Sequence, residues 1–150
     1  EQAGNTLGAT IVNAMWVDAR ANGHVISTDA TGALIQGAPG GNDGRAKACK
    51  KGHFFTAVVD CDSVLFEYVE RHCSESVQKL FAGFCGFLQG DASNVYDVLE
   101  RGPPGDTDDG PTLVGCFAHL RRYFFEAAIC RYPVGLQGLM RIRAIYAADD

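Results

Sequence analysis

The sequence lacks any uninterrupted apolar run of the roughly 18 residues that a membrane-spanning helix needs. It also lacks the basic and then apolar layout of a secretory signal at its N-terminus. These two absences predict a soluble, cytoplasmic protein without membrane association. The chain starts with Glu1 rather than Met, and its last helical pattern stops near Ala148 without a glycine or another stop signal. We therefore expect both ends to be cuts in a longer sequence.

An excess of positive charge is absent as well, since the formal net charge is -5. Proteins that bind nucleic acids usually present a basic surface to the phosphates, so the negative net charge argues mildly against nucleic-acid binding. The distribution of the charged residues along the sequence, however, favours nucleic-acid binding. Acidic residues gather between positions 97 and 109, whereas basic pairs stand apart from them at Lys50 with Lys51 and at Arg121 with Arg122. These basic segments remain candidates for contact with DNA.

Disulfides are not expected, although the chain has six cysteines. Six would suit three bridges in a small secreted protein, which cannot build a sufficient core. This chain has 150 residues, of which 47% are hydrophobic, and a chain of that size can bury a core without such bridges. We predict reduced thiols in one domain.

The first half of the chain predicts a helix, a long strand and a hairpin. Apolar residues recur at helical spacing from residue 6 to about 21, and Asn22 with Gly23 ends this helix. A run rich in Val, Ile and Leu then predicts a strand over residues 24–36, before a glycine-rich loop over residues 37–44. The hairpin consists of His53–Val59, a polar turn, and Val64–Val69.

The second half predicts shorter strands between helices. Ser74 and Ser76 suit the cap of a helix that runs through Phe81. An apolar strand over residues 83–88 follows and leads into Gly90 and Asp91. The remaining predictions are a helical turn near Val95, a loop at 101–111, a strand at 112–115, a helix at 117–130, and a final helix through residues 136–145. This order of elements favours an α/β fold with a mixed sheet.

Asp29 and Asp91 are the candidate catalytic residues, because each lies in or at the end of an apolar strand. A charge there is costly unless something compensates it, and a metal ion would do so. Two carboxylates from neighbouring strands can bind Mg²⁺ through oxygen, and two such ions about 4 Å apart can activate a nucleophile and stabilise a leaving oxygen. The alternative is that each Asp caps a helix or ends a turn, which is the more frequent role of such a residue.

Four segments of the chain carry the motifs of one protein family. Residues 79–96, KLFAGFCGFLQGDASNVY, resemble the family's AGF-x-G-Y/F-LQ-x-DA around the second catalytic Asp, which is followed by a Tyr. Residues 114–127, VGCFAHLRRYFFEA, resemble its GC-W/F-AH-x-RR-x-F-x-EA. Residues 26–31, ISTDAT, resemble its first-Asp strand, and residues 50–53, KKGH, its K-x-G-x hairpin entry. The chain thus resembles transposases of the insertion-sequence-66 family, and the first three motifs, in the family's order, span most of the chain from residue 26 to residue 127.

The resemblance implies a ribonuclease-H-like catalytic core, similar to that of retroviral integrases, with about five strands flanked by helices. Residues 1–150 would be a partial catalytic domain, with the core at about 24–130 and the start of a helical insertion at 134–150. The implied activity is metal-dependent cleavage and strand transfer of DNA during transposition. Asp29 and Asp91 would be catalytic and would bind Mg²⁺ or Mn²⁺. The implied partners are transposon ends, target DNA and further copies of the full-length protein, in the cytoplasm of a bacterium at its nucleoid.

The chain also departs from the family's pattern. Ala30 stands where the family usually has Glu, and Ser93 and Asn94 stand where it has small residues. Side-chain support around both sites is therefore expected to differ. An alternative to the active enzyme is an inactive remnant that at most binds DNA or its own kind.

The third acid of the family has two candidate positions. Glu126 lies on the helix after the last strand, where simple members of the superfamily place this acid. However, Cys116 and His119 form the C-x-x-H signature of relatives whose catalytic Glu follows a helical insertion, which places it beyond Asp150. We favour the second interpretation. Glu126 is then expected to face solvent or pair with an Arg, and residues 1–150 are expected to be inactive alone.

The remaining candidate residues each have a structural alternative. Cys116 and His119 would be half of a zinc site, but structural zinc has four ligands, so we expect them to support the active-site helix instead. Lys50, Lys51, Arg121 and Arg122 are candidates for DNA phosphate contacts, although Arg121 and Arg122 suit a solvated helix surface equally. Phenylalanines such as Phe54 are expected in the core.

Overall fold

A computed structural model describes residues 7–35, 49–100 and 110–149. The predicted loop at 37–44 and residues 101–109 of the later loop lie outside the described residues. The chain divides into two compact units, Glu1–Leu113 and Val114–Asp150. We call them the sheet unit and the helical hairpin and describe each by itself.

The elements follow the predicted order closely. In the sheet unit and at its boundary they are α1 (Ala9–Asn22), β1 (Val25–Ile35), β2 (Lys50–Val59), β3 (Ser63–Val69), α2 (Ser74–Leu80), β4 (Phe87–Gly90), a 3-10 helix (Asn94–Leu99) and β5 (Thr112–Gly115). The helical hairpin contains α3 (Phe117–Ile129) and α4 (Pro133–Asp149). Among the described residues, no helix is both long and apolar enough to cross a membrane.

The five strands form one mixed sheet in the order β3-β2-β1-β4-β5. The central strand β1 pairs antiparallel with β2, from Ile26 opposite Val59 onward. On its other side β1 pairs parallel with β4. This is the ribonuclease-H-like α/β arrangement that the resemblance implied, and the prediction of the fold class is confirmed.

One face of the sheet carries the core. Successive side chains of a strand point to opposite faces, so burial alternates over the start of β1, at Ile26 and Thr28, and over the end of β2, at Phe55, Ala57 and Val59. Ile26 and Phe55 have no exposed surface. Helix α2 covers this face through Val77, which is also fully buried. The prediction of Phe54 as a core residue is wrong, because Phe54 has the opposite parity to Phe55 and is 42% exposed.

Two local predictions are corrected. The N-cap of α2 is Cys73, and no side chain makes a capping hydrogen bond. The Ser76 hydroxyl instead donates backward to the Arg71 carbonyl at 2.8 Å. The strand predicted from residue 83 begins only at Phe87, because Gly83 has a φ of +81° and belongs to a turn. A positive φ is incompatible with continuous strand pairing and suits glycine.

The turn between β2 and β3 also holds the start of β1 in place. Asp60 and Cys61 have positive φ angles, and the Asp60 amide donates to the Val25 carbonyl at 2.9 Å. The Asp60 carboxylate accepts hydrogen bonds from the amides of Val25 at 2.7 Å and His24 at 3.1 Å. These bonds, that from Val25 most of all, lower the pKa of Asp60. The hairpin thus fixes where β1 begins.

In the helical hairpin, α3 and α4 approach each other closely along two glycines of α4. A side chain at Gly135 would overlap the backbone of Ala127 and Ala128, and one at Gly138 would overlap the Phe124 ring. Ile142 is buried, whereas α3 has no buried residue. The two helices therefore meet along a narrow seam that depends on small residues. No disulfide joins the six cysteines, all of which lie in the described residues.

Candidate metal centre

Asp29 lies on β1, and Asp91 directly follows the neighbouring strand β4. The parallel pairing of β1 with β4 ends with Ser27 opposite Gln89, and Asp29 and Asp91 each lie two residues further along the chain. The Ser27 hydroxyl donates to the Gln89 side-chain oxygen at 2.9 Å, so these two side chains share one face of the sheet. Strand alternation directs Asp29 to that face, opposite the core. The strands that lead to the two aspartates are therefore adjacent, as predicted.

Each carboxylate is oriented by a backbone amide. Asp29 is exposed within β1, and its Oδ1 accepts a hydrogen bond from the Ala30 amide at 3.0 Å. Asp91 is half-buried directly after β4, and its Oδ1 accepts from the Ser93 amide at 3.0 Å. Ala92 between them has a φ of +59°, so the chain turns sharply from β4 into the 3-10 helix. Within the residues that the structure describes, neither Oδ2 atom accepts a hydrogen bond, which leaves both available to a ligand.

This pair of oxygen donors fits Mg²⁺ or Mn²⁺. Hard divalent ions prefer carboxylate oxygen, and Mg²⁺ in particular is bound through one or two carboxylates while it keeps several waters or phosphate oxygens. No cluster of three or more His, Cys, Asp or Glu residues occurs in the described part of the chain.

Tyr96 and Thr28 belong to this neighbourhood, and the sequence did not single them out for a role. Tyr96 is only 4% exposed, and burial followed by the charge of Asp91 raises its pKa to about 12. Asp29 raises this pKa further, whereas the nearby Thr28 hydroxyl opposes the increase. Thr28 is 7% exposed, and its Oγ1 has no hydrogen-bond partner of good geometry. The Tyr that follows the second Asp in the family's motif was the available signal.

The predicted lysines lie at the other end of β1. Lys50 and Lys51 are exposed at the start of β2, and Lys51 pairs with Leu34. Leu34 is five residues beyond Asp29, which corresponds to about 16 Å along a strand. Lys51 also contributes to the lowered pKa of His53, after burial and the nearby His72. The two lysines are thus separate from the carboxylates but on adjoining strands.

The candidates on α3 form a second group, which belongs to the helical hairpin. Cys116 is the N-cap residue of α3, and His119 lies in its first turn with a buried Nδ1 that has no hydrogen-bond partner. Arg121 and Arg122 are exposed. Arg122 forms an ion pair of 3.1 Å with Glu126, which is the kind of contact expected for this acid. The roles of these residues in DNA or metal binding remain predictions.

Comparison with known proteins identifies the family. The sequence model of the family described as the transposase IS66 family matches residues 5–150, which include both aspartates. No curated protein and no solved structure matches the chain. Because the match spans nearly the whole chain and its fold agrees with the ribonuclease-H-like arrangement, the chain belongs to the IS66 family of transposases.

Proposed function

We propose that this chain is the catalytic core of a DNA transposase that cleaves phosphodiester bonds and transfers strands when an insertion sequence moves. The observation that supports this proposal is the parallel pairing of β1 with β4 up to Ser27 opposite Gln89, because Asp29 and Asp91 each follow two residues later. Family membership supports the DNA substrate. In the full-length protein, the substrates would be the transposon ends and the target, and several copies would act together.

Asp29 and Asp91 would hold Mg²⁺ or Mn²⁺ through their carboxylate oxygens. When bound, the ions supply Lewis-acid activation for the attack of water or a DNA 3′-hydroxyl on a phosphodiester. The protein's part is to orient the donors. The amides of Ala30 and Ser93 each hold one carboxylate oxygen, so the second oxygen of each Asp has a defined direction.

Lys50 and Lys51 would contact the DNA backbone away from the metal centre, near the other end of β1. Exposed ammonium groups bind phosphates without reading sequence, and each such contact makes binding weaker at higher salt. Arg121 and Arg122 are proposed for the same role in the helical hairpin. Arg122 would have to exchange its exposed pair with Glu126 for phosphate, and exposed pairs of this kind are weak.

Metal titration tests the proposed centre. Mn²⁺ binding is measured by calorimetry for the wild-type chain and for Asp29→Asn and Asp91→Asn. Each variant keeps the size of the side chain but removes the charge, so we expect affinity to fall at least about tenfold. Asp62→Asn in the exposed hairpin turn is the matched control and should bind like wild type. Wild-type affinity in either active-site variant would overturn the proposal.

DNA binding is tested separately by fluorescence anisotropy with a labelled duplex. Lys50→Ala combined with Lys51→Ala should weaken binding and flatten its dependence on salt by about one unit of slope per lost contact. Lys79→Ala is the control, because Lys79 is an exposed lysine already paired with Glu75 at 2.8 Å. An unchanged salt slope in the double variant would place the DNA elsewhere.

A further inference from the structure

Tyr96 lies between the two strand ends that carry the aspartates. A Cβ atom built on Gly90 would lie 3.5 Å from the Tyr96 ring, so the ring occupies the space beside Gly90. The Tyr96 hydroxyl lies near the Thr28 hydroxyl, whose buried oxygen has no hydrogen-bond partner of good geometry. Gly90 immediately precedes Asp91, and Thr28 immediately precedes Asp29. One side chain therefore lies next to the residue before each proposed metal ligand.

The position of Tyr96 is itself fixed. Its side chain belongs to the buried core cluster, and the His72 ring packs against it edge-on with 6.3 Å between ring centroids. Its amide donates to the Ser93 carbonyl at 3.1 Å at the start of the 3-10 helix. The amide of this same Ser93 orients the Asp91 carboxylate. Tyr96 is thus connected to Asp91 through the backbone turn and to Asp29 through Thr28.

We propose that Tyr96 is a positioning residue of the metal centre, whose ring and hydroxyl set the alignment of β1 with β4 and thereby hold the Asp29 and Asp91 carboxylates at the separation that a shared metal site needs. This inference rests on the proposed function. Groups that support metal ligands from behind fix ligand orientation, and their loss typically weakens metal affinity by about 10- to 100-fold.

The hydroxyl distinguishes positioning from plain packing. Tyr96→Phe retains the ring on Gly90 but removes the contact with Thr28, and Thr28→Val removes the same contact from the other side. We expect each variant to bind Mn²⁺ about tenfold more weakly than wild type, with an unchanged circular dichroism spectrum. The double variant should be no weaker than either single one, because both remove one shared contact. Thr28→Ser, which keeps the hydroxyl, should restore wild-type affinity.

Tyr132→Phe is the control, since Tyr132 is 64% exposed and lies outside the sheet unit. If Asp29→Asn lowers Mn²⁺ affinity but Tyr96→Phe does not, the positioning role is wrong and the proposed function stands. Additive losses in the double variant would also contradict a shared contact.

A second readout needs no metal. The carboxyl ¹³C chemical shifts of Asp29 and Asp91 in the metal-free chain report their surroundings directly. Tyr96→Phe should move both shifts, whereas Tyr132→Phe should move neither. If the wild-type chain fails to bind Mn²⁺, the proposed function fails, and these shifts still decide whether Tyr96 positions the carboxylates. Two unmoved shifts would overturn the inference.

Discussion

The sheet unit and the helical hairpin bury their apolar residues to very different extents. In the sheet unit, Ile26 and Phe55 are fully buried within a cluster drawn from the sheet and helices. In the hairpin, Ile142 is buried, but Leu136 and Met140 of the same helix are 61% and 66% exposed. A sheet covered by helices buries the side chains of one whole face, whereas two packed helices bury only the side chains along their line of contact.

The sheet unit and the helical hairpin also differ in how they position the candidate functional side chains. The aspartates sit on hydrogen-bonded strands above a packed core, and sites on such elements are held more accurately than sites on loops. The candidates on α3 sit on a helix without buried residues. We therefore expect substitutions to act through core packing in the sheet unit and through close backbone approach in the hairpin.

The largest expected effect lies in the sheet core. Phe55→Ala should lower the free energy of unfolding by about 3–5 kcal/mol, because it leaves a cavity where no side-chain surface was exposed. Phe66→Ala on β3 is the matched control, since Phe66 is 62% exposed, and it should cost less than about 1 kcal/mol. Urea denaturation measures both. Equal losses would show that the two faces of the sheet are equally packed.

Gly138→Ala probes the seam of the hairpin. Alanine favours a helix over glycine by about 1 kcal/mol, but its methyl group would overlap the Phe124 ring. Overpacking of this kind costs about 1–3 kcal/mol, so the net expectation is a loss of up to about 2 kcal/mol in thermal unfolding. Gly8→Ala is the comparison, because nothing lies within 4 Å of that position. If Gly138→Ala stabilised the chain instead, the contact between α4 at Gly138 and the Phe124 ring would not be tightly packed.

A smaller effect, dependent on pH, is expected at Asp60. The folded state lowers the pKa of Asp60 below its ordinary value of 3.8, so the contribution of its charge to stability is fully present above that value and is lost as pH falls through the folded pKa. Asp60→Asn, which tolerates the positive φ, should therefore destabilise at pH 7. The two unfolding curves should converge in acid. Asp62→Asn should follow wild type, and a constant difference at every pH would rule out the charge.

The smallest effect is expected at Glu126. Its ion pair with Arg122 is exposed on both sides, so Glu126→Gln should cost only about 0.3–0.5 kcal/mol. If the third catalytic acid lies elsewhere, this variant should also bind Mn²⁺ within twofold of wild type. A loss as large as that of Asp91→Asn would make Glu126 a ligand and join the two groups of candidates into one site.

Much of the fold follows from periodicity, which is local information. The strand β1 and the hairpin at Asp60 were predictable, because a run rich in Val, Ile and Leu and a set of turn residues each occupy consecutive positions. The cap of α2 was not, since Ser74 and Ser76 are equally suitable by type and only the backbone decides between them and Cys73. The late start of β4 depends on the positive φ of Gly83.

The candidate site, like the fold, has one part that the sequence predicted and one part that it did not. The adjacency of the strands that lead to Asp29 and Asp91 was predictable, because the resemblance implied both the fold and these two acids, although Asp29 lies within β1 and not at its end. The part played by Tyr96 and Thr28 was not, because it depends on how the 3-10 helix folds back under the sheet. A Tyr five residues after an Asp carries no such information by spacing alone.

The hydrogen bonds from the amides of His24 and Val25 to Asp60 have a consequence for the register of β1. Strand β1 has a side-chain period of two, so a slip by one residue would bury Asp29 and present Thr28 to the solvent face. The backbone bond between Asp60 and Val25 and the pairing with β2 oppose the same slip, so loss of the Asp60 carboxylate alone would weaken the register without shifting it.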